Sequence, residues 1–194
     1  MKRVLLLGDS IRIGYQDYVK ELLKEECEVI YWADDNGRFV QYNYWQLNQM
    51  FRIHGHFDIV HFNNGYWDMN IEPPCEEALN PIPEYIAGLK KIVTYIKKQK
   101  AIPIFANTVP IYSDGSSNDN TGTKASINYK NEWVIDYNKA AESLMKKENV
   151  QINDMYSRML SGPMYFKCPD MLHLTESGYK ECAILTAEAI KKHL

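Results

Sequence analysis

The chain lacks the staples and address signals that settle a protein's class at once. Its 194 residues hold four cysteines, Cys27, Cys75, Cys168 and Cys182. None forms a Cys-x-x-Cys pair and their spacing matches no zinc pattern. Ordinary reduced thiols in a cytoplasmic protein are the expectation. A basic excess is also missing: 22 Lys and Arg stand against 25 Asp and Glu, a net charge of −3. Neutralising phosphates needs the opposite sign, so a nucleic-acid partner is not expected. No stretch approaches the ~18 apolar residues of a membrane span, and no membrane partner is expected either. The apolar run after Met1, Lys2 and Arg3 is four residues long and stops at Gly8. That is too short for the apolar region of a secretory signal and reads better as a buried strand. The ten glycines build no phosphate loop, because GDSIRIG has too few of them in the wrong places. Neither a cofactor nor a metal is expected.

What is present is an alternation of two periodicities. Short β-rich runs occur at 3–7, 27–32, 58–63, 102–107 and 150–153. Between them lie segments with helical spacing at 15–26, 39–51, 85–100, 127–148 and 177–193. Strand and helix in unbroken alternation predict one α/β domain over residues 1–194, a five-stranded parallel sheet with helices on both faces. Residues 112–128 are rich in Ser, Asn, Asp, Gly and Thr without periodicity, which predicts a long functional loop or lid.

Ligands of open α/β sheets bind beyond the carboxyl ends of the strands. Polar clusters follow each strand there: Gly8-Asp9-Ser10, then Asp34 to Arg38, then Asn63 to Asp68, then Asn107 and Thr108. A last cluster, CPDMLHLTESGY (168–179), precedes the final helix. Ester hydrolysis needs a nucleophile, a base, a group that orients the base, and donors for the oxyanion. Ser10 stands at a strand-to-helix turn, where a helix N-terminus favours negative charge. Asp170 and His173 are three residues apart, close enough for one turn to hold carboxylate and imidazole together. Backbone N–H groups near Ser10 and Gly37, with an amide from Asn63 or Asn64, could supply the oxyanion hole.

These blocks, in this order, resemble the SGNH hydrolases, the GDSL esterase/lipase family, from Val4 to Tyr179. The resemblance implies a flavodoxin-like three-layer α/β/α fold and a serine hydrolase acting on esters. It implies Ser10 as nucleophile and oxyanion donor, Gly37 as second donor, and Asp170 and His173 as acid and base. The third block departs from the family's Gly-x-Asn-Asp: in FNNGYWDM, Trp67 stands where the asparagine would be. Asn64 is the favoured replacement donor and the Trp67 indole N–H the alternative.

The remaining candidates read two ways each. Asp9 either caps the first helix or faces substrate. Arg12 and Arg38 are either solvated or hold an anionic substrate group. Tyr66 and Trp67 border the expected site, whereas the other aromatics, including YNYW at 42–45, read as packing residues. His61 reads as a core histidine, and His54 and His56 as a solvated loop. The expected activity is a serine esterase releasing a short acyl group, such as acetyl, from a carbohydrate or other small alcohol. The alternative is a ligand-binding pseudoenzyme of the same fold.

Overall fold

The computed structural model describes residues 1–111, 115–118, 126–162 and 172–194. Five strands form a parallel sheet in the order β2-β1-β3-β4-β7. They are β1 (Lys2–Leu7), β2 (Cys27–Tyr31), β3 (Ile59–Phe62), β4 (Ile102–Ala106) and β7 (Gln151–Asn153). Val4, Leu5 and Leu6 of β1, and all of β3, are fully buried, as strands covered on both faces must be. The order, with β1 next to both β2 and β3, puts a topological switch point at the end of β1.

Helices α1 (Ser10–Leu23) and α7 (Glu176–Lys191) pack together. Helices α2 (Val40–His54), α4 (Ile82–Lys98) and α5 (Asn131–Lys147) form a second packed group. Helix α4 shows why such a segment is helical: Tyr85, Leu89, Ile92, Val93 and Ile96 make one buried stripe, and Lys97 and Lys98 close it where the dipole favours cations. Two short helices escape periodicity altogether, α3 (Tyr66–Met69) and α6 (Met155–Leu160). Each is too brief to show a repeat.

The expected strands agree with the observed ones to within a residue at each end. The first helix differs: it starts at Ser10, five residues before the expected Tyr15. Its apolar stripe is weak there, and Asp9 starts it instead by accepting the Ile11 N–H at 2.9 Å. The aperiodic segment 112–128 is not all loop. It holds β5 (Gly115–Asn118) and all but the last residue of β6 (Ser126–Tyr129), which pair antiparallel. Residues 112–114 and 119–125 of the expected lid lie outside the described residues.

His61 is a core histidine on β3, with its ring edge-on to Tyr15 at 6.3 Å. Its Nε2 lies 3.1 Å from the Asn153 amide nitrogen, so Nε2 accepts and the ring is neutral. Burial lowers its pKa from 6.5 to about 3. The unfolded chain therefore binds a proton near pH 6.5 that the folded chain refuses, and stability falls as pH drops from 6.5 towards 3. Urea unfolding between pH 7 and 4.5 should show this acid slope, and His61→Asn should flatten it.

Candidate active site

Three loops meet at the carboxyl end of β1. Gly8 ends the strand, Asp9 caps α1, and Ser10 is the helix's first residue. The Ser10 N–H is one of the four amides that a helix start leaves without an internal acceptor. His173 approaches from the loop ahead of α7. Its neighbours Leu172 and Leu174 are buried, which pins the half-buried imidazole between two anchors. Its Nε2 lies 2.7 Å from Ser10 Oγ, although 163 residues separate the two in sequence. A base in hydrogen-bond contact with a hydroxyl at a helix N-terminus is the arrangement that activates a serine. Asp170, the expected orienting acid, lies outside the described residues.

Several expected site residues serve the scaffold instead. The Gly37 N–H donates to the Gly8 carbonyl at 2.8 Å, so it is not directed at an oxyanion. The glycine is required for the approach itself, since a Cβ there would stand 2.7 Å from the Gly8 oxygen. Asn64 is fully buried. Its amide donates to the Arg38 carbonyl at 2.9 Å and its oxygen accepts from Asn43 at 2.6 Å. The favoured replacement donor is thus engaged elsewhere. The same holds for Asn63, whose amide donates to the Ala106 carbonyl.

Arg12 is not a solvated or substrate-facing arginine: it is 1% exposed. Its guanidinium donates to the carbonyls of Trp32 at 3.0 Å, Asp35 at 2.6 Å and Gly8 at 3.5 Å, and to the Gln16 amide oxygen. Tyr66 is buried as well, with its hydroxyl on the Val109 carbonyl and its ring 5.3 Å from Tyr129. Asp9 is the helix cap rather than a substrate contact. Burial pushes its carboxyl above the usual range, offset in part by the Ile11 N–H and by the nearby His173 and Arg12. Trp67 remains: it is half-buried, and among the described residues its indole has no hydrogen bond and no ring partner.

Polar residues hold this rim together, and motif reading missed Asn43 and Tyr85 among them. Asn43 bridges to the Asn63 carbonyl and the Asn64 side chain. Tyr85 and Thr108 both donate to the Asn64 carbonyl, at 2.8 and 3.2 Å. Asp68 accepts from the Val40 N–H at 3.0 Å and the Asn80 amide at 2.9 Å. Asn43 and Tyr85 carry a sequence signal only in retrospect, as polar atoms on the apolar stripes of α2 and α4.

Arg12→Met would take one donor from each of the Trp32, Asp35 and Gly8 carbonyls, of which Gly8 keeps the Gly37 N–H and Asp35 keeps Gln46, a loss of about 1–3 kcal/mol. Thermal melting should drop steeply in this variant and not recover in Arg12→Lys, because an ammonium cannot span the same fork.

Neither a protein-family model nor a curated protein matches the chain. Solved structures do match. A lipase/acylhydrolase from Enterococcus faecalis is 22% identical, with a TM-score of 0.77 over 99% of this chain and 96% of its own. A GDSL-like lipase from Bacteroides thetaiotaomicron is 19% identical, with a TM-score of 0.76 over 100% of this chain and 89% of its own. A carbohydrate acetylesterase family member from Sinorhizobium meliloti is 16% identical, with a TM-score of 0.75 over 100% of this chain and 99% of its own. With the parallel sheet order and the rim just described, these likenesses establish that the chain has the three-layer α/β/α fold of the SGNH hydrolases.

Proposed function

We propose that the protein is a serine esterase with Ser10 as nucleophile and His173 as base. The observation that carries this reading is the 2.7 Å contact between His173 Nε2 and Ser10 Oγ at the switch point of the sheet. Ser10 Oγ attacks the ester carbonyl while His173 takes its proton and passes it to the departing alkoxide. Water, deprotonated by the same imidazole, then releases the acid from the acyl-enzyme. Asp170 is assigned the orienting role on the strength of its place in the D-x-x-H block. The Ser10 N–H and the positive end of α1 are one source of oxyanion stabilisation. With Gly37 and Asn64 engaged elsewhere, the Trp67 indole N–H is assigned as the second donor. A short acyl group on a carbohydrate is the substrate class best supported. Two of the structural likenesses, an acetyl xylan esterase and the carbohydrate acetylesterase family member, carry that chemistry in their descriptions.

A ligand-binding pseudoenzyme is the second reading, favoured by the engagement of the Gly37 and Asn64 donors. A fluorophosphonate probe separates the two, since labelling of the Ser10 peptide in folded protein requires an activated hydroxyl. Ser10→Ala should abolish both labelling and cleavage of an activated acetyl ester, with at least about 10³-fold loss of rate and an unchanged melting temperature. Full activity in that variant would sink the mechanism. Trp67→Phe keeps the apolar ring and removes the donor. Its kcat should fall roughly 10²-fold with little change in KM; an unchanged kcat would remove Trp67 from the oxyanion site.

A further inference from the structure

Arg38 is held in an unusual way. Its φ is 46°, the left-handed region that favours glycine over any side chain carrying a Cβ. The backbone is fixed there from both sides. Its N–H donates to Asn36 Oδ1 at 2.8 Å, and its carbonyl accepts the Asn64 amide at 2.9 Å. Strained residues held this firmly cluster at functional sites. Arg38 also follows Gly37 directly, and Gly37 is bonded to Gly8, two residues before Ser10. Chain connectivity thus keeps Arg38 on the rim where Ser10 stands.

The side chain is presented as firmly as the backbone. The guanidinium lies over the Tyr42 ring, 4.9 Å from its centroid, with one edge by the Tyr42 hydroxyl. Tyr42 donates to Asp35 at 2.7 Å and stacks on Trp45 at 5.4 Å, and Trp45 stacks on Trp32 at 6.0 Å. These rings form a ladder that ends in the guanidinium. Stacking uses the face of the cation and leaves most of its in-plane N–H donors unused. Among the described residues no carboxylate lies within ion-pair distance of it. The contrast with Arg12 is direct: one arginine is buried and bonded to carbonyls, and the other is half-buried on the Tyr42 ring and, among the described residues, bonded to no carboxylate.

We propose that Arg38, propped on the Tyr42–Trp45–Trp32 ladder, recognises a carboxylate on the substrate beside the scissile ester. This rests on the esterase reading for its place in the reaction, though not for the binding itself. The carboxylate belongs either to the alcohol, as in an acidic sugar, or to the far end of the acyl chain.

Binding is measured through Trp32 and Trp45 fluorescence with two matched pairs of non-ester probes. Methyl glucuronide against methyl glucoside tests the alcohol side, and succinamate against butyramide tests the acyl side. In the native chain one carboxylate probe should bind about tenfold more tightly than its neutral partner, as a bidentate guanidinium contact predicts. The pair that shows the difference identifies the source. Arg38→Gly suits the left-handed backbone and Arg38→Met keeps the stem. Each should bring the ratio to about one. Ratios near one for both pairs in the native chain overturn the inference. So does a ratio that survives in either variant with a native circular-dichroism spectrum. Acetyl ester cleavage in the same preparation reports separately on the esterase reading: carboxylate binding without cleavage keeps Arg38 and discards the esterase.

Discussion

The buried guanidinium of Arg12 is the contact on which the site depends. A parallel sheet ends in carbonyl oxygens, and the loops leaving β1 and β2 add more. The Gly8 carbonyl is buried and those of the β2 loop are partly so, and side chains of α1 supply them with donors. Arg12 reaches across from α1 and supplies Gly8, Trp32 and Asp35 together, while Gln16 one turn later supplies Ala33. The Gly37 N–H adds the direct tie between the two loops. The strand end that carries Ser10 and the loop that carries Arg38 thereby become one rigid piece.

The same solution recurs along the rim. Asn43, Tyr85 and Thr108 serve the carbonyls of Asn63 and Asn64, and Asn138 pairs with both the N–H and the carbonyl of Thr108. Side-chain amides and hydroxyls suit this task because they satisfy carbonyls without introducing a charge. One consequence is chemical. Amides that a motif match would assign to an oxyanion are already bonded inside the protein, and that moves attention to Trp67. A second is mechanical. A hydroxyl and an imidazole held 2.7 Å apart need rigid supports, and the carbonyl clamps stiffen the serine side while buried Leu172 and Leu174 stiffen the histidine side.

Much of the fold was legible because burial on a covered parallel strand leaves a direct mark. Runs such as VLLL are apolar at every position, and the stripe on α4 repeats at helical spacing. The start of α1 was not legible from periodicity, since Ser10, Arg12 and Gly14 interrupt it and a single carboxylate cap sets the boundary. The pairing of Ser10 with His173 could be expected from block order alone, yet block order says nothing of which neighbouring donors are already engaged. Asn64 illustrates this. Its type and position suit an oxyanion donor, and only tertiary structure shows it fully buried, with one N–H on the Arg38 carbonyl and its oxygen on Asn43.

Two arginines mark the boundary between the kinds of information. By itself the sequence determined the layered fold and the strand ends that bear polar clusters, because hydrophobic periodicity and residue chemistry are local properties, and the pairing of Ser10 with His173 was implied only by the resemblance of its blocks to the SGNH hydrolases. It could not distinguish Arg12 from Arg38, each lying one or two residues beyond a key position in its loop. Tertiary structure decided between them. Which carbonyls stand within reach of a guanidinium, and whether water covers them, depends on segments far apart in sequence. Arg12 is buried among carbonyls, and Arg38 lies half-buried on the Tyr42 ring.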